Sequence, residues 1–231
     1  MSVQGSAVPV LGGWGNPEDW RWVRQHLERV GVHVRAPDLP SHRSADAGLE
    51  EDAEEVRQAI DDCPAPVVAV GWSYGGAVMG AATTGETLVV RLLYVAAVPW
   101  LPDGAPADLS WLEDPHILSG ENTHVLDNEW WLNEEAGITF TEEVRQHLRQ
   151  HPRRPMSLRT ASPSKITTAP PWHTIPTTVL LGVDDDLVLT EEREMAKQLT
   201  SDVRLLETDH FIIFRKPESV SEVIIEALQE N

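Results

Sequence analysis

Apolar residues along this chain fall into two rhythms. Mainly apolar runs of strand length occupy Ala7 to Leu11, Val32 to Ala36, Val67 to Val70, Leu88 to Val98, Thr177 to Leu181 and Val203 to Glu207. Between them lie longer segments in which apolar positions recur every three or four residues. The short, mainly apolar runs predict strands of a sheet covered on both faces, and the longer spacing predicts amphipathic helices. Trp20, Val23, Leu27 and Val30 mark one helix within Glu18 to Val30, and Leu49 to Ile60 forms an acidic one. A third helix begins at Gly76, and Glu191 to Leu199 and Glu218 to Leu228 supply two more. Strands alternating with helices imply crossover connections, hence an α/β architecture: a doubly wound, mainly parallel six-stranded sheet.

Between Pro99 and Pro176 the alternation stops, and Pro, Trp and His accumulate. A stretch of that length without order of its own is foreign to a compact domain. It is predicted to be a helical cap insertion. Thr141 to His151 carries an N-cap residue and a helical pattern, and Asp127 to Ala136 contains the pair Trp130-Trp131. The expected division is a core of residues 1–98 and 177–231 with a cap over 99–176. No internal repeat or low-complexity segment is present.

The third strand breaks into Gly71-Trp72-Ser73-Tyr74-Gly75 and then into a helix, a G-x-S-x-G pattern in a strand–turn–helix context. Reversal within three residues forces the central residue into strained geometry, which the small flanking glycines permit. The serine hydroxyl is lifted clear of the sheet edge, and the Tyr74 amide at the helix N-terminus is aimed beside it. The bland alternative is a glycine-rich turn.

A serine needs a base, and the base needs a third group to hold it. Asp184-Asp185-Asp186 follows the fifth strand and His210 the sixth, so all three reactive groups sit at carboxyl strand ends, where sites gather in open α/β sheets. Ser73, Asp185 and His210 are the expected catalytic set. Asp184 and Asp186 are alternatives as solvated or loop-capping residues, and Asp103, after the fourth strand, is the runner-up acid. Oxyanion stabilisation requires two preorganised donors, assigned to the backbone amides of Tyr74 and of Gly13 in Gly12-Gly13-Trp14-Gly15. That loop matches no nucleotide-binding pattern and has no Lys. Trp14, Trp72, Trp100, Trp130 and Trp131, with Trp111 and Trp172, are candidates for an apolar substrate pocket, the competing assignment being cap core.

Charge and cysteine content narrow the partners. The 231 residues hold 18 Lys and Arg against 37 Asp and Glu, a net charge of −19 that repels nucleic acid and anionic membrane. Neither is an expected partner; a small-molecule substrate is, and oligomeric state is not legible. No run approaches the roughly 18 apolar residues of a membrane span, and the start Met1-Ser2-Val3-Gln4 has no export signal, so a cytoplasmic location is expected. The single Cys63 excludes an internal disulfide or a multi-Cys metal cluster and reads as a structural thiol. No metal or organic cofactor is expected.

With the order Ser73, Asp185, His210, the chain resembles the α/β-hydrolase superfamily over nearly its full length. Tyr94-Val95-Ala96-Ala97, Leu101-Pro102-Asp103-Gly104, Ile175-Pro176, His210-Phe211 and Lys216-Pro217 are similar to the methylesterase and hydroxynitrile lyase-like group and its bacterial relatives. Leu11-Gly12 stands where that group has His-Gly, and Asp38 to Ser44 departs from its Asp-x-x-Gly-x-Gly-x-Ser. Phe211 replaces the Lys of hydroxynitrile lyases, which argues against cyanohydrin cleavage, and Ser73 argues against the aspartate-nucleophile relatives. The superfamily's N-terminal strand pair is expected to be missing. The resemblance implies a serine hydrolase of a small or medium carboxylic ester, lactone or thioester. The alternatives are a non-hydrolytic enzyme on the same scaffold, such as a lyase, cyclase or C–C hydrolase, and a non-catalytic ligand binder.

Overall fold

The computed structural model describes residues 3–85, 88–103, 110–133, 138–161 and 163–230. Six strands form one parallel sheet in the order β2-β1-β3-β4-β8-β9: β1 Ser6–Val10, β2 His33–Val34, β3 Val67–Trp72, β4 Val89–Val95, β8 Thr177–Gly182 and β9 Asp202–Leu206. Every residue of β1, β3 and β8 is buried, as continuous apolar runs require when helices cover both faces. Alternate residues of β3 enter opposite layers. Val68, Val70 and Trp72 pack with α1 (Arg21–Arg29) and α8 (Pro217–Gln229), whereas Val67 and Ala69 pack with α2 (Leu49–Asp61) and α3 (Tyr74–Ala82). β2 is shorter than predicted because at the sheet edge only His33 and Val34 find partners, Ser6 and Ala7.

The segment between β4 and β8 departs from an all-helical cap. It does hold α4 (Asn128–Trp131) and α5 (Glu142–Gln150), but β5 (Ile117–Ser119), β6 (Thr123–Leu126) and β7 (Met156–Ser157) form a small antiparallel sheet beside them. Strands of two to four residues carry too little alternation to be seen in sequence. Asp127 Oδ1 caps α4 by accepting from Glu129 N at 2.9 Å, and Thr141 Oγ1 caps α5 by accepting from Val144 N at 3.3 Å. The end of the helix predicted over Asp127 to Ala136 lies outside the described residues. Trp131, Phe140, Val144 and Leu148 of this segment share one core cluster with Trp20, Trp72 and Phe214. The insertion therefore packs continuously onto the sheet layer of α1 and α8.

Candidate active site

Ser73 joins β3 to α3 with φ 54° and ψ −124°, a left-handed conformation that a non-glycine residue adopts only under strain. Its neighbours must be glycine. A Cβ on Gly71 would meet Gly75 O at 2.4 Å, and one on Gly75 would meet Val10 O at 2.4 Å and Leu11 O at 2.6 Å. Ser73 N donates to Val95 O at 3.0 Å, which ties the elbow to the neighbouring strand.

The register Trp72↔Val95, Val95↔Leu180 and Gly182↔Leu206 brings the ends of β3, β4, β8 and β9 to one edge. Asp185 stands three residues beyond Gly182, and His210 four beyond Leu206. His210 Nδ1 lies 3.1 and 3.0 Å from the two carboxylate oxygens of Asp185, whose side chain is fully buried. Leu187 N donates to the same carboxylate at 3.0 Å. The fork of Arg193 donates to Gly182 O, Asp185 O and Val188 O and so frames the acid loop. Asp184 and Asp186 are exposed. Asp209 pairs with Arg215 at 2.7 Å and accepts from Phe211 N, and Asp103 is exposed. Among the described residues no hydrogen bond joins Ser73 Oγ to His210. The two are linked through Trp72, whose indole donates to His210 O at 3.0 Å.

Gly12 lies against Ser73: a Cβ there would meet the Trp72 ring at 2.9 Å and Ser73 Cβ at 3.3 Å. Gly15 N donates to Gly12 O at 3.1 Å, closing a turn in which Trp14 has φ 59°. Gly13 faces Met156 of β7, with Sδ 3.8 Å from the position of a Cβ. Behind the start of α3 is a buried polar chain that sequence inspection missed. Asp52 accepts from Tyr74 OH at 2.7 Å, Ser41 Oγ at 2.6 Å and Ser41 N at 2.8 Å. Burial raises the Asp52 carboxyl above its ordinary range against the effect of these three donors, and drives the Tyr74 phenol well above its own. His42, beside Ser41, is pushed down to about 3, chiefly by burial and then by the charge of Arg154.

The tryptophans separate. Trp72 is buried beneath His210 and Phe214, and Trp131 is buried against Phe140, Phe211 and the Arg153 guanidinium; both belong to the core cluster. Trp130 stacks on His116 at 3.9 Å. Trp100 is exposed, its carbonyl 3.3 Å from a Cβ on Gly80, nearly two turns along α3 from Ser73. Trp14 alone among the five sits in the Gly12–Gly15 loop beside Ser73, and the side chain of Trp111 lies outside the described residues. A cleft of about 500 Å³ between α4 and α5 and another of similar volume lined by Asp184 and Arg215 contain none of Ser73, Asp185 and His210. Among the described residues no group of three His, Cys, Asp or Glu is gathered for a metal, and no helix is long and apolar enough to cross a membrane.

A strand–elbow–helix serine with an acid after β8 and a histidine after β9 defines a hydrolase-type α/β sheet, and residues 8–223 match the model of the alpha/beta hydrolase family. The chain belongs to that family. It is 27% identical over 135 residues to a pimeloyl-[acyl-carrier protein] methyl ester esterase of Aliivibrio fischeri, a match covering 57% of this chain and 51% of that protein. It thus spans about half the length of that curated relative. Its fold is similar to the methylesterase MES16 from Arabidopsis, with TM-score 0.76 and 17% identity over 98% of this chain and 99% of that one. A pyrethroid hydrolase from Sphingobium faniae JZ-2 aligns with TM-score 0.75 and 17% identity over 97% of both chains.

Proposed function

We propose that this protein is a serine hydrolase that cleaves a small or medium carboxylic ester, lactone or thioester through an acyl-enzyme on Ser73. The observation carrying this reading is the buried Asp185 carboxylate astride His210 Nδ1, on the sheet edge that also holds the strained Ser73 elbow. With Nδ1–H committed to Asp185, the Nε2 lone pair is the basic site. It takes the Ser73 proton as Oγ bonds to the carbonyl carbon, and the Gly13 and Tyr74 amides receive the developing oxyanion. Collapse expels the alcohol or thiol, protonated by Nε2–H. Water, deprotonated at the same nitrogen, then attacks the acyl-enzyme and releases the acid. Relatives named as an esterase, a methylesterase and a pyrethroid hydrolase agree with this class of reaction.

Intact-mass analysis after treatment with a fluorophosphonate tests the assignment. A single adduct that maps to Ser73 and disappears in Ser73→Ala is expected, with ester hydrolysis in that variant reduced at least about 10³-fold and its melting temperature unchanged. A folded wild-type protein that takes no adduct and turns over no ester refutes the proposal.

A further inference from the structure

Trp14 occupies a left-handed backbone conformation, φ 59°, that a bulky side chain tolerates only when its surroundings over-determine it. Those surroundings come almost entirely from the insertion. Arg154 N donates to Trp14 O at 2.9 Å, and the Trp14 indole donates to His124 Nδ1 of β6 at 2.9 Å. Arg154 Nε donates to Gly15 O at 2.9 Å. Asn16 Nδ2 donates to Pro152 O at 2.8 Å and His151 O at 3.3 Å. Its own N–H is received at 2.9 Å by Asp19, the buried partner of Arg153. Each of residues 14, 15 and 16 is thus fastened, directly or through Asp19, to the four-residue strap His151–Arg154.

Arg154 is the centre of the strap. Besides its two bonds to the turn, Arg154 Nη1 lies 2.7 Å from Asp38 Oδ1, so one side chain joins the turn after β1, the loop after β2 and the insertion. Its charge also acts close to the turn: His42, whose titration is lowered by burial and then by Arg154, has the Gly12 backbone as its neighbour. A lysine in place of Arg154 lacks the planar fork that reaches both Gly15 O and Asp38.

We infer that Arg154 is a positioning residue for oxyanion stabilisation, holding the Gly12–Gly15 turn, and with it the Gly13 amide, at the distance from Ser73 that the transition state requires. The inference rests on the hydrolase reading above. The insertion accordingly sets the oxyanion geometry, and displacement of the strap displaces a donor.

The test compares wild type with Arg154→Lys, Arg154→Met and Trp14→Phe. In the folded variants kcat for an activated aryl ester is expected to fall about 10- to 100-fold with KM within about twofold, the loss of one misplaced oxyanion donor or less. A trifluoromethyl ketone, which forms a tetrahedral oxyanion adduct with Ser73, should lose affinity by a similar factor. The corresponding secondary alcohol, which forms none, should bind as before, and the apparent pKa of the rate profile should not move. A merely structural role would weaken ketone and alcohol together and track the melting temperature. Wild-type kcat and ketone affinity in folded Arg154→Met, or equal losses for ketone and alcohol, overturn the inference. Should Arg154→Met fail to fold, Arg154→Lys and Trp14→Phe decide by the same measurements. If Ser73 in wild type takes no fluorophosphonate, the hydrolase reading fails on its own; the fastening is then judged by amide exchange of residues 12–16. Exchange unchanged in Arg154→Lys overturns it, and faster exchange supports it.

Discussion

Removing the charge of Asp19 should damage the fold far more than its place in a one-turn helix suggests. Asp19 and Arg153 are 0% and 2% exposed at their side chains and meet through two bonds, Nη1 to Oδ2 at 2.9 Å and Nη2 to Oδ1 at 2.6 Å. Oδ2 also accepts from Asn16 N, and Arg153 N donates to Asn128 Oδ1 at 2.6 Å. Asp19→Asn leaves a guanidinium buried without a counter-charge, which costs about 3–5 kcal/mol. In a chain of this size each kcal/mol moves the melting temperature by about 2–4 °C, so a fall of about 6–20 °C is expected. A surface pair would give about 1 kcal/mol or less. The two cases are separable by urea titration at neutral pH. The control is Asp19→Asn/Arg153→Met, in which an apolar stem of similar length lies against Trp131, 4.9 Å from the present guanidinium. If uncompensated charge is the cause, the double variant recovers most of the loss. A single-variant cost under about 1 kcal/mol, or a double variant no better than the single, refutes the reasoning.

Three further outcomes follow from the site and its surroundings. Asp185→Asn should lower kcat on the order of 10³–10⁴-fold, while Asp184→Asn and Asp186→Asn, both exposed, change it less than about twofold in steady-state ester hydrolysis; equal losses would remove Asp185 from its assigned role. Trp131→Ala should cost about 3–5 kcal/mol by thermal melting, since the ring is 1% exposed, whereas half-buried Trp130 should cost under about 1–2 kcal/mol; the reverse order would contradict the core assignment. Stability should also fall on acidification. His42 and His124 are lowered to about 3 and about 4, chiefly by burial, so between pH about 6.5 and about 4 the unfolded chain binds protons that the folded one refuses. Each contributes up to about 1.4 kcal/mol per pH unit, partly offset by Asp52, whose raised carboxyl takes up a proton in the folded state. A urea midpoint that stays flat or rises from pH 7.5 to 5 would contradict this.

The parts that could be read from sequence are those whose determinants are local. β1, β3 and β8 are buried on both faces and therefore carry no charged residue, and Gly71 and Gly75 bracket Ser73 because backbone carbonyls stand 2.4 Å from where their side chains would begin. The gathering of Ser73, Asp185 and His210 was legible because each lies within four residues of a strand's carboxyl end, and a parallel sheet brings such ends to one edge. Of the three aspartates after β8, the loop turns only the Asp185 carboxylate inward, toward His210, and the direction of a loop is not carried by its sequence. The burial of Trp72 and Trp131 in the core was not legible, because hydrophobic bulk does not reveal which side of the sheet it enters; Trp72 lies on the α1 and α8 side with Val68 and Val70. The fastening of the Gly12–Gly15 turn was invisible altogether. Its long-range bonds include one joining residues 110 positions apart, Trp14 with His124, and one joining residues 139 apart, Gly15 with Arg154. Periodicity carries no trace of such pairings. Ser73 and Trp14 are both non-glycine residues held at positive φ beside the same edge, at 54° and 59°. Only the first has its strain imposed by its own strand and helix, and so only the first could be recognised before the fold was known. The second is held by contacts with the segment between β4 and β8, through His124 and Arg154, which no local pattern announces.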